Sequence, residues 1–129
     1  MCIRDRYSTD DLKNDRELGF KTIHCDEFQT QSIDQIVKRI KDRIGNNPLY
    51  ISIDIDVLDP AHAPGTGTPE IAGMTTREMV NVLRGLSGMN LISADVVEVA
   101  PAYDHAELTS TAAATIVYEL VNLIARSPK

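Results

Sequence analysis

The chain has no basic cluster: its 13 Lys and Arg residues are scattered among 19 acidic ones, and the formal charge is −6. Counterion release from a nucleic acid or an anionic membrane needs clustered cations, so the sequence argues against both partners. Cysteine is scarce too. Cys2 and Cys25 lack C-x-x-C spacing, which offers neither a disulfide framework nor a zinc site and suits a reducing compartment. No apolar run approaches the length of a membrane span, and the opening M-C-I-R-D-R lacks the apolar core of a signal peptide. A cytoplasmic location is the expectation. Internal repeats, low-complexity tracts and linkers are absent. No Gly-rich loop opens a helix to cradle phosphate, which counts against a Mg²⁺-dependent phosphoryl- or glycosyl-transfer enzyme.

What remains is an ordinary globular composition: 129 residues, 43% hydrophobic and 25% charged, enough for one core. The acidic balance suits metal cations and cationic small molecules, although charge alone decides little.

Ile33, Ile36, Val37, Ile40 and Ile44 recur at three- and four-residue steps, predicting an amphipathic helix over residues 32–44 that Gly45 stops. Residues 49–58 alternate instead. Leu49, Ile51, Ile53, Ile55 and Val57 point one way, and Tyr50, Ser52, Asp54, Asp56 and Leu58 the other, predicting a strand that Pro60 ends. Residues 61–73 form a loop rich in Gly, Pro and Thr. Thr75 and Glu78 can make a capping box for a second helix, with Met79, Val82, Leu83 and Leu86 as its buried stripe and Gly88 as its end. Residues 91–99 read as another strand, and Asp104 with Glu107 could cap a last helix over residues 107–125. A short strand at residues 21–24 precedes them all. The alternation of strands and helices predicts an α/β fold, a parallel sheet with helices on its faces.

The two-residue spacing of Asp54 and Asp56 would place both carboxylates on one strand face, with Cα atoms ~6.6 Å apart. Unpaired like charges on a strand made for burial are costly unless a cation offsets them. The carboxyl ends of parallel strands are also where ligands gather. Alone, D-x-D equally fits a solvated edge or ion pairs with Arg and Lys.

Its surroundings are more specific. Residues 52–60 read S-I-D-I-D-V-L-D-P, residues 63–70 read A-P-G-T-G-T-P-E and residues 94–104 read A-D-V-V-E-V-A-P-A-Y-D. Together they resemble the arginase and agmatinase ureohydrolase family, and are agmatinase-like, with counterparts for nearly every element from about Leu18 onward. The resemblance implies a partial three-layer α/β/α sandwich, residues 1–129 being the C-terminal portion of one domain. It implies that Asp54 bridges two Mn²⁺ ions, that Asp56 binds one of them, that Glu98 holds the substrate guanidinium and that Thr68 lies beside the substrate. Without the family, Glu98 would read as a satisfied core carboxylate and Thr68 as a structural turn residue.

The resemblance further implies a small cationic guanidino substrate, agmatine, hydrolysed to urea and putrescine by an intact enzyme that is a homo-oligomer. Guanidinobutyrate, guanidinopropionate or formiminoglutamate are the alternative substrates, with residues 102–105 among the tail-selecting positions. The family's Gly-Gly-Asp-His and Asp-Ala-His-x-Asp motifs and its catalytic histidine have no counterpart here. No catalytic residue is therefore assigned within the chain. It reads as part of an enzyme, inactive alone, or as a non-catalytic remnant that docks to a partner or oligomer. Residues 1–6 read as a spurious start.

Other residues carry blander expectations. Asp95 should either support the site's ligands from behind or serve structure, facing away from Glu98 by strand alternation. His24, His62 and His105 lack ligand partners at metal spacing and read as surface or packing residues. Asp59 should fix the strand end by accepting backbone hydrogen bonds, and Gly65 and Gly67 should permit close approach to a ligand or a positive φ. The pair Ala72-Gly73 stands where the family more often has two glycines.

Overall fold

The computed structural model describes Cys2–Ile3, Lys13 and residues 15–128. Its strands are β1 (Cys2–Ile3), β2 (Ile23–His24), β3 (Leu49–Asp54) and β4 (Leu91–Val97), and its helices α1 (Ile33–Ile44), α2 (Thr76–Gly85) and α3 (Leu108–Ala125). Single 3₁₀ turns occupy Cys25–Gln29, Ile55–Val57, Pro101–Tyr103 and His105–Glu107. Apart from the paired backbone of Cys2 and Ile3, the expectation about residues 1–6 lies outside the described residues.

The first two helices begin where reciprocal caps satisfy their free N–H groups. The Ser32 N–H donates to Gln35 Oε1 at 2.8 Å and the Gln35 N–H to Ser32 Oγ at 3.3 Å. Thr75 and Glu78 do the same for α2, at 2.7 and 3.1 Å. Gly45 ends α1 as expected, with φ 59°. The end of α2 differs from the expectation: it stops at Gly85, and Gly88, with φ 85°, serves the turn into β4. Gly85 has another duty. A Cβ there would lie 2.6 Å from Val37 Cγ2, so its small size sets how closely α2 approaches α1.

β3 and β4 pair in parallel from Leu49↔Leu91 to Asp54↔Val97, with an irregularity after Leu49. β1 and β2 form a separate parallel pair, so among the described residues β2 does not join β3 in the single sheet expected. β3 is also shorter than its alternation predicts. The Asp54 side chain accepts the Asp56 N–H at 3.2 Å, an Asx-type turn that takes the backbone out of β geometry. Alternation fails beyond it: Leu58, expected on the Asp56 side, is 1% exposed in the core.

The main core joins Ile53 and Ile55 to Met79 and Leu83 of α2, Leu91 of β4, and Ala113, Ile116 and Leu120 of α3. Each fully buried aliphatic side chain contributes about 1.5–3 kcal/mol. A second cluster, Val37, Leu86 and Met89, joins α1 to α2. Contrary to the sequence reading, the segment His105–Ala125 is long and apolar enough to cross a membrane, with mean hydropathy 1.4. One face of it packs on the core, while Tyr118 and Val121 on the other are exposed. Thr109, Ile116, Leu120 and Leu123 are buried, and Glu119, 9% exposed, accepts from Arg84 Nε at 3.0 Å and from Arg84 Nη2.

Candidate metal and substrate site

The carboxyl ends of β3 and β4 bring four sequence-predicted residues together. Asp54 is the last residue of β3, and Asp56 follows in the 3₁₀ turn rather than on the strand face. Thr68, twelve residues on, donates its hydroxyl to Asp56 Oδ2 at 2.7 Å. Partial desolvation pushes the Asp54 carboxyl above the ordinary range, and the charges of Asp56 and Glu98 push it the same way, against the pull of the Asp56 N–H. This crowding of like charge is what a cation would relieve, and an all-oxygen donor set fits a hard divalent ion. Among the described residues, however, no group of three or more His, Cys, Asp or Glu side chains is placed to hold one.

Glu98 reaches this neighbourhood by a backbone route that strand alternation could not reveal. It lies one residue beyond β4 with φ 63°, a left-handed conformation that costs a non-glycine residue about 1–2 kcal/mol. Asp95, within the strand, accepts from the Tyr50 hydroxyl and from Ser52 Oγ at 2.7 Å, and the Tyr50 bond does most to hold its carboxyl below the usual range. Its structural role is as expected.

The loop carrying Thr68 is clamped at both ends. Asp59 Oδ1 accepts the Ala61 N–H at 2.9 Å and Oδ2 the Ala72 N–H at 2.8 Å, so one carboxylate ties the start of the loop to its close. These bonds, the Ala61 N–H foremost, hold Asp59 below the ordinary carboxylate range despite some desolvation. Asp59 is the backbone anchor foreseen. Beside it, a Cβ on Gly73 would lie 2.6 Å from Asp59 N, and Ala72 sits at φ 67°, a conformation that favours glycine.

Gly65 corrects an expectation. It approaches Asp104, whose Cβ would be 2.6 Å from a Cβ at Gly65, rather than a ligand, and its φ is not positive. Its N–H donates to the buried Thr109 Oγ1 at 2.7 Å and its carbonyl accepts the Ala100 N–H at 2.8 Å. Gly67 has open space around it and no positive φ.

Asp104 caps α3 from farther back than predicted. Ala106 and Glu107 both adopt positive φ, the helix starts at Leu108, and Asp104 accepts the Thr109 and Ser110 N–H groups at 2.8 Å each. Desolvation raises its pKa, but these bonds and the Ser110 hydroxyl outweigh that and bring it to about 2. Sequence reasoning missed Thr109 altogether, since a hydroxyl in an Ala-rich helix start carries no periodic signal. None of the histidines joins the acidic cluster: the backbone N–H of His24 donates to Glu27 Oε1 at 2.8 Å, His62 is half-buried and His105 is exposed.

The chain is similar over most of its length to several known proteins. It is 48% identical to the agmatinase of Photorhabdus laumondii over 108 residues, covering 84% of this chain and 35% of that protein. It is 46% identical to the guanidinopropionase of Pseudomonas aeruginosa over 121 residues, covering 94% and 38%. The solved structure of proclavaminate amidino hydrolase from Streptomyces clavuligerus superposes with a TM-score of 0.87 at 38% identity, covering 95% of this chain and 40% of that one. The chain thus spans roughly a third of the length of the curated relatives it matches. Its architecture is that of arginase-type ureohydrolases, part of a three-layer α/β/α sandwich with a parallel sheet. The model of the arginase family matches residues 1–122, and with the fold and the strand-end carboxylates this establishes that the chain belongs to the arginase family.

Proposed function

We propose that the chain supplies the C-terminal part of an agmatinase-type ureohydrolase site, which hydrolyses agmatine to urea and putrescine. The observation that carries this reading is the meeting of Asp54, Asp56, Thr68 and Glu98 at the carboxyl ends of two adjacent parallel strands. In the reaction, the bond from the guanidinium carbon to the substituted nitrogen breaks, water's oxygen stays with the carbon as urea, and the amine leaves protonated.

Each residue has a part in this. Asp54 and Asp56 would hold divalent ions, two Mn²⁺ in the whole enzyme, and when bound these supply a Lewis-acid centre that makes water nucleophilic near neutral pH. Glu98 accepts hydrogen bonds from the planar guanidinium and orients its carbon toward that centre. Thr68 positions Asp56 through the hydroxyl it donates, and its place in the same loop leaves it beside the substrate. The rest of the ligand set, a homo-oligomeric assembly and a cytoplasmic setting belong to the same proposal.

A second reading concerns the substrate tail. The similarity to a guanidinopropionase, at 46% identity against 48% for the agmatinase, makes a guanidino acid the alternative to agmatine. The test replaces the matching part of a family agmatinase with residues 15–128 of this chain and assays urea release from agmatine, guanidinobutyrate, guanidinopropionate and formiminoglutamate. Preference for agmatine is the expected result. Preference for an acidic tail overturns the agmatinase reading, and no release from any of them overturns the ureohydrolase reading.

A further inference from the structure

A groove of about 410 Å³ runs between α2 and α3, and none of Asp54, Asp56, Thr68 and Glu98 lines it. Its lining reverses the sign of the chain. His62, Arg77 and Arg84 contribute to it and no carboxylate does, although the sequence carries a formal charge of −6. The neighbouring acids are engaged elsewhere. Glu78 accepts the Thr75 N–H and hydroxyl at 2.7 and 2.8 Å, Asp59 accepts the Ala61 and Ala72 N–H groups, and Glu119 accepts both Arg84 bonds.

The two ends of the groove differ in charge. β3 and β4 are parallel, and α2 and α3 each follow one of them, so the two helices run side by side in one direction. At the far end Arg84 is joined to Glu119 and its charge is compensated. Arg77 lies seven residues back along α2 and Thr111 eight back along α3, rises of about 10 and 12 Å that bring the two level. His62 belongs to this same end, because Asp59, which accepts its N–H at 2.7 Å, donates its own N–H to the Met74 carbonyl at 2.9 Å, just before α2. Here the side chains of Thr76, Arg77 and Thr111 have no hydrogen bond or ion pair among the described residues. The Thr115 hydroxyl, by contrast, donates to the Thr111 carbonyl at 3.0 Å. Val80, Ala112 and Ile116 give the groove an apolar floor.

This arrangement suits an oxyanion with an apolar body. The guanidinium fork of Arg77 can take two oxygens side by side, and the hydroxyls of Thr76 and Thr111 and a ring N–H of His62 add donors at the same end. The three terminal oxygens of a phosphate monoester use such a set more fully than the two of a carboxylate, and the ester's organic group meets the apolar floor. The volume falls within the range of small-ligand sites. We infer that the Arg77 end of the groove binds the phosphate of a small phosphate monoester whose organic part lies over Val80 and Ile116. The inference is independent of the ureohydrolase reading, since it uses none of the residues assigned there.

The test titrates the full 129-residue chain, isotopically labelled, with phenyl phosphate, inorganic phosphate and phenol, and follows the backbone amides by nuclear magnetic resonance. Phenyl phosphate should give saturable one-to-one shifts centred on Thr76, Arg77 and Thr111. Inorganic phosphate should move the same amides with weaker affinity, and phenol should not compete for them. Arg77→Gln should weaken phenyl phosphate about tenfold or more and Thr111→Val several-fold, whereas Lys38→Gln, at an exposed cation on α1, should change nothing. Arg77 is exposed, so its loss leaves the core intact, and titration of the unaltered chain depends on no variant. Failure to saturate, shifts centred elsewhere, an equal response to phenol, inorganic phosphate binding as tightly as the ester, or affinity indifferent to Arg77→Gln would each overturn the inference.

Discussion

Thr68 donates its hydroxyl to Asp56 Oδ2 across 2.7 Å, linking the loop that Asp59 clamps to the acidic end of β3. In a chimera with a complete ligand set, Thr68→Val should reduce kcat/KM about 10–100-fold, the range for residues that orient metal ligands. Thr68→Ser should restore most of it. Equal activity of Val and Ser variants would show that the hydroxyl does nothing.

Ala72 and Gly73 should respond oppositely to substitution. Ala72→Gly relieves a side chain held at φ 67° and should stabilise the fold by about 1 kcal/mol, net of glycine's greater freedom when unfolded. Gly73→Ala forces a Cβ to within 2.6 Å of Asp59 N and should cost about 2 kcal/mol or more. Chemical denaturation midpoints measure both.

The pKa of Asp104, about 2 in the folded chain against 3.8 for the free group, sets a pH dependence. A depressed folded pKa means that the unfolded state binds the proton more readily. The contribution is therefore fully present above pH about 4 and is lost as pH falls from there toward 2. The stability difference between the unaltered chain and Asp104→Ala should shrink across that window and stay constant from pH 5 to about 7. Denaturation at a series of pH values reads it, and a difference that grows on acidification would refute the assignment.

Arg84 and Glu119 should be unequal partners. The Glu119 side chain is 11% exposed and that of Arg84 65%. Arg84→Met strands a nearly buried carboxylate and should lower the melting temperature. Adding Glu119→Leu should recover most of that loss, because an apolar pair leaves no charge to satisfy. A double-mutant cycle by thermal denaturation checks this.

Much of the scaffold was legible because local chemistry and burial agree. Ser32 with Gln35 and Thr75 with Glu78 mark helix starts that the isoleucine and leucine spacings then confirm. The site was legible in its members and less so in its geometry. Asp54 and Asp56 were assigned to one strand face, whereas the Asp54 side chain bends the backbone before Asp56 is reached. Glu98 follows a left-handed turn, and no two-residue period can report a single φ of 63°. Asp104 was recognised as a cap, but its reach over two left-handed residues to Thr109 and Ser110 depends on contacts between Gly65 and the helix start, far apart in sequence. The separation of β2 from β3 was hidden for a related reason: the order of elements sets their direction, not their adjacency.

The central claim is that the acidic cluster at the ends of β3 and β4 is one part of a ureohydrolase site. Its most direct test is Mn²⁺-dependent urea release from agmatine by the chimera carrying residues 15–128, with and without Asp54→Ala. Release that falls by about 10³-fold or more with Asp54→Ala, while the variant keeps its fold by circular dichroism, is the predicted result. Release that survives Asp54→Ala undiminished would contradict it.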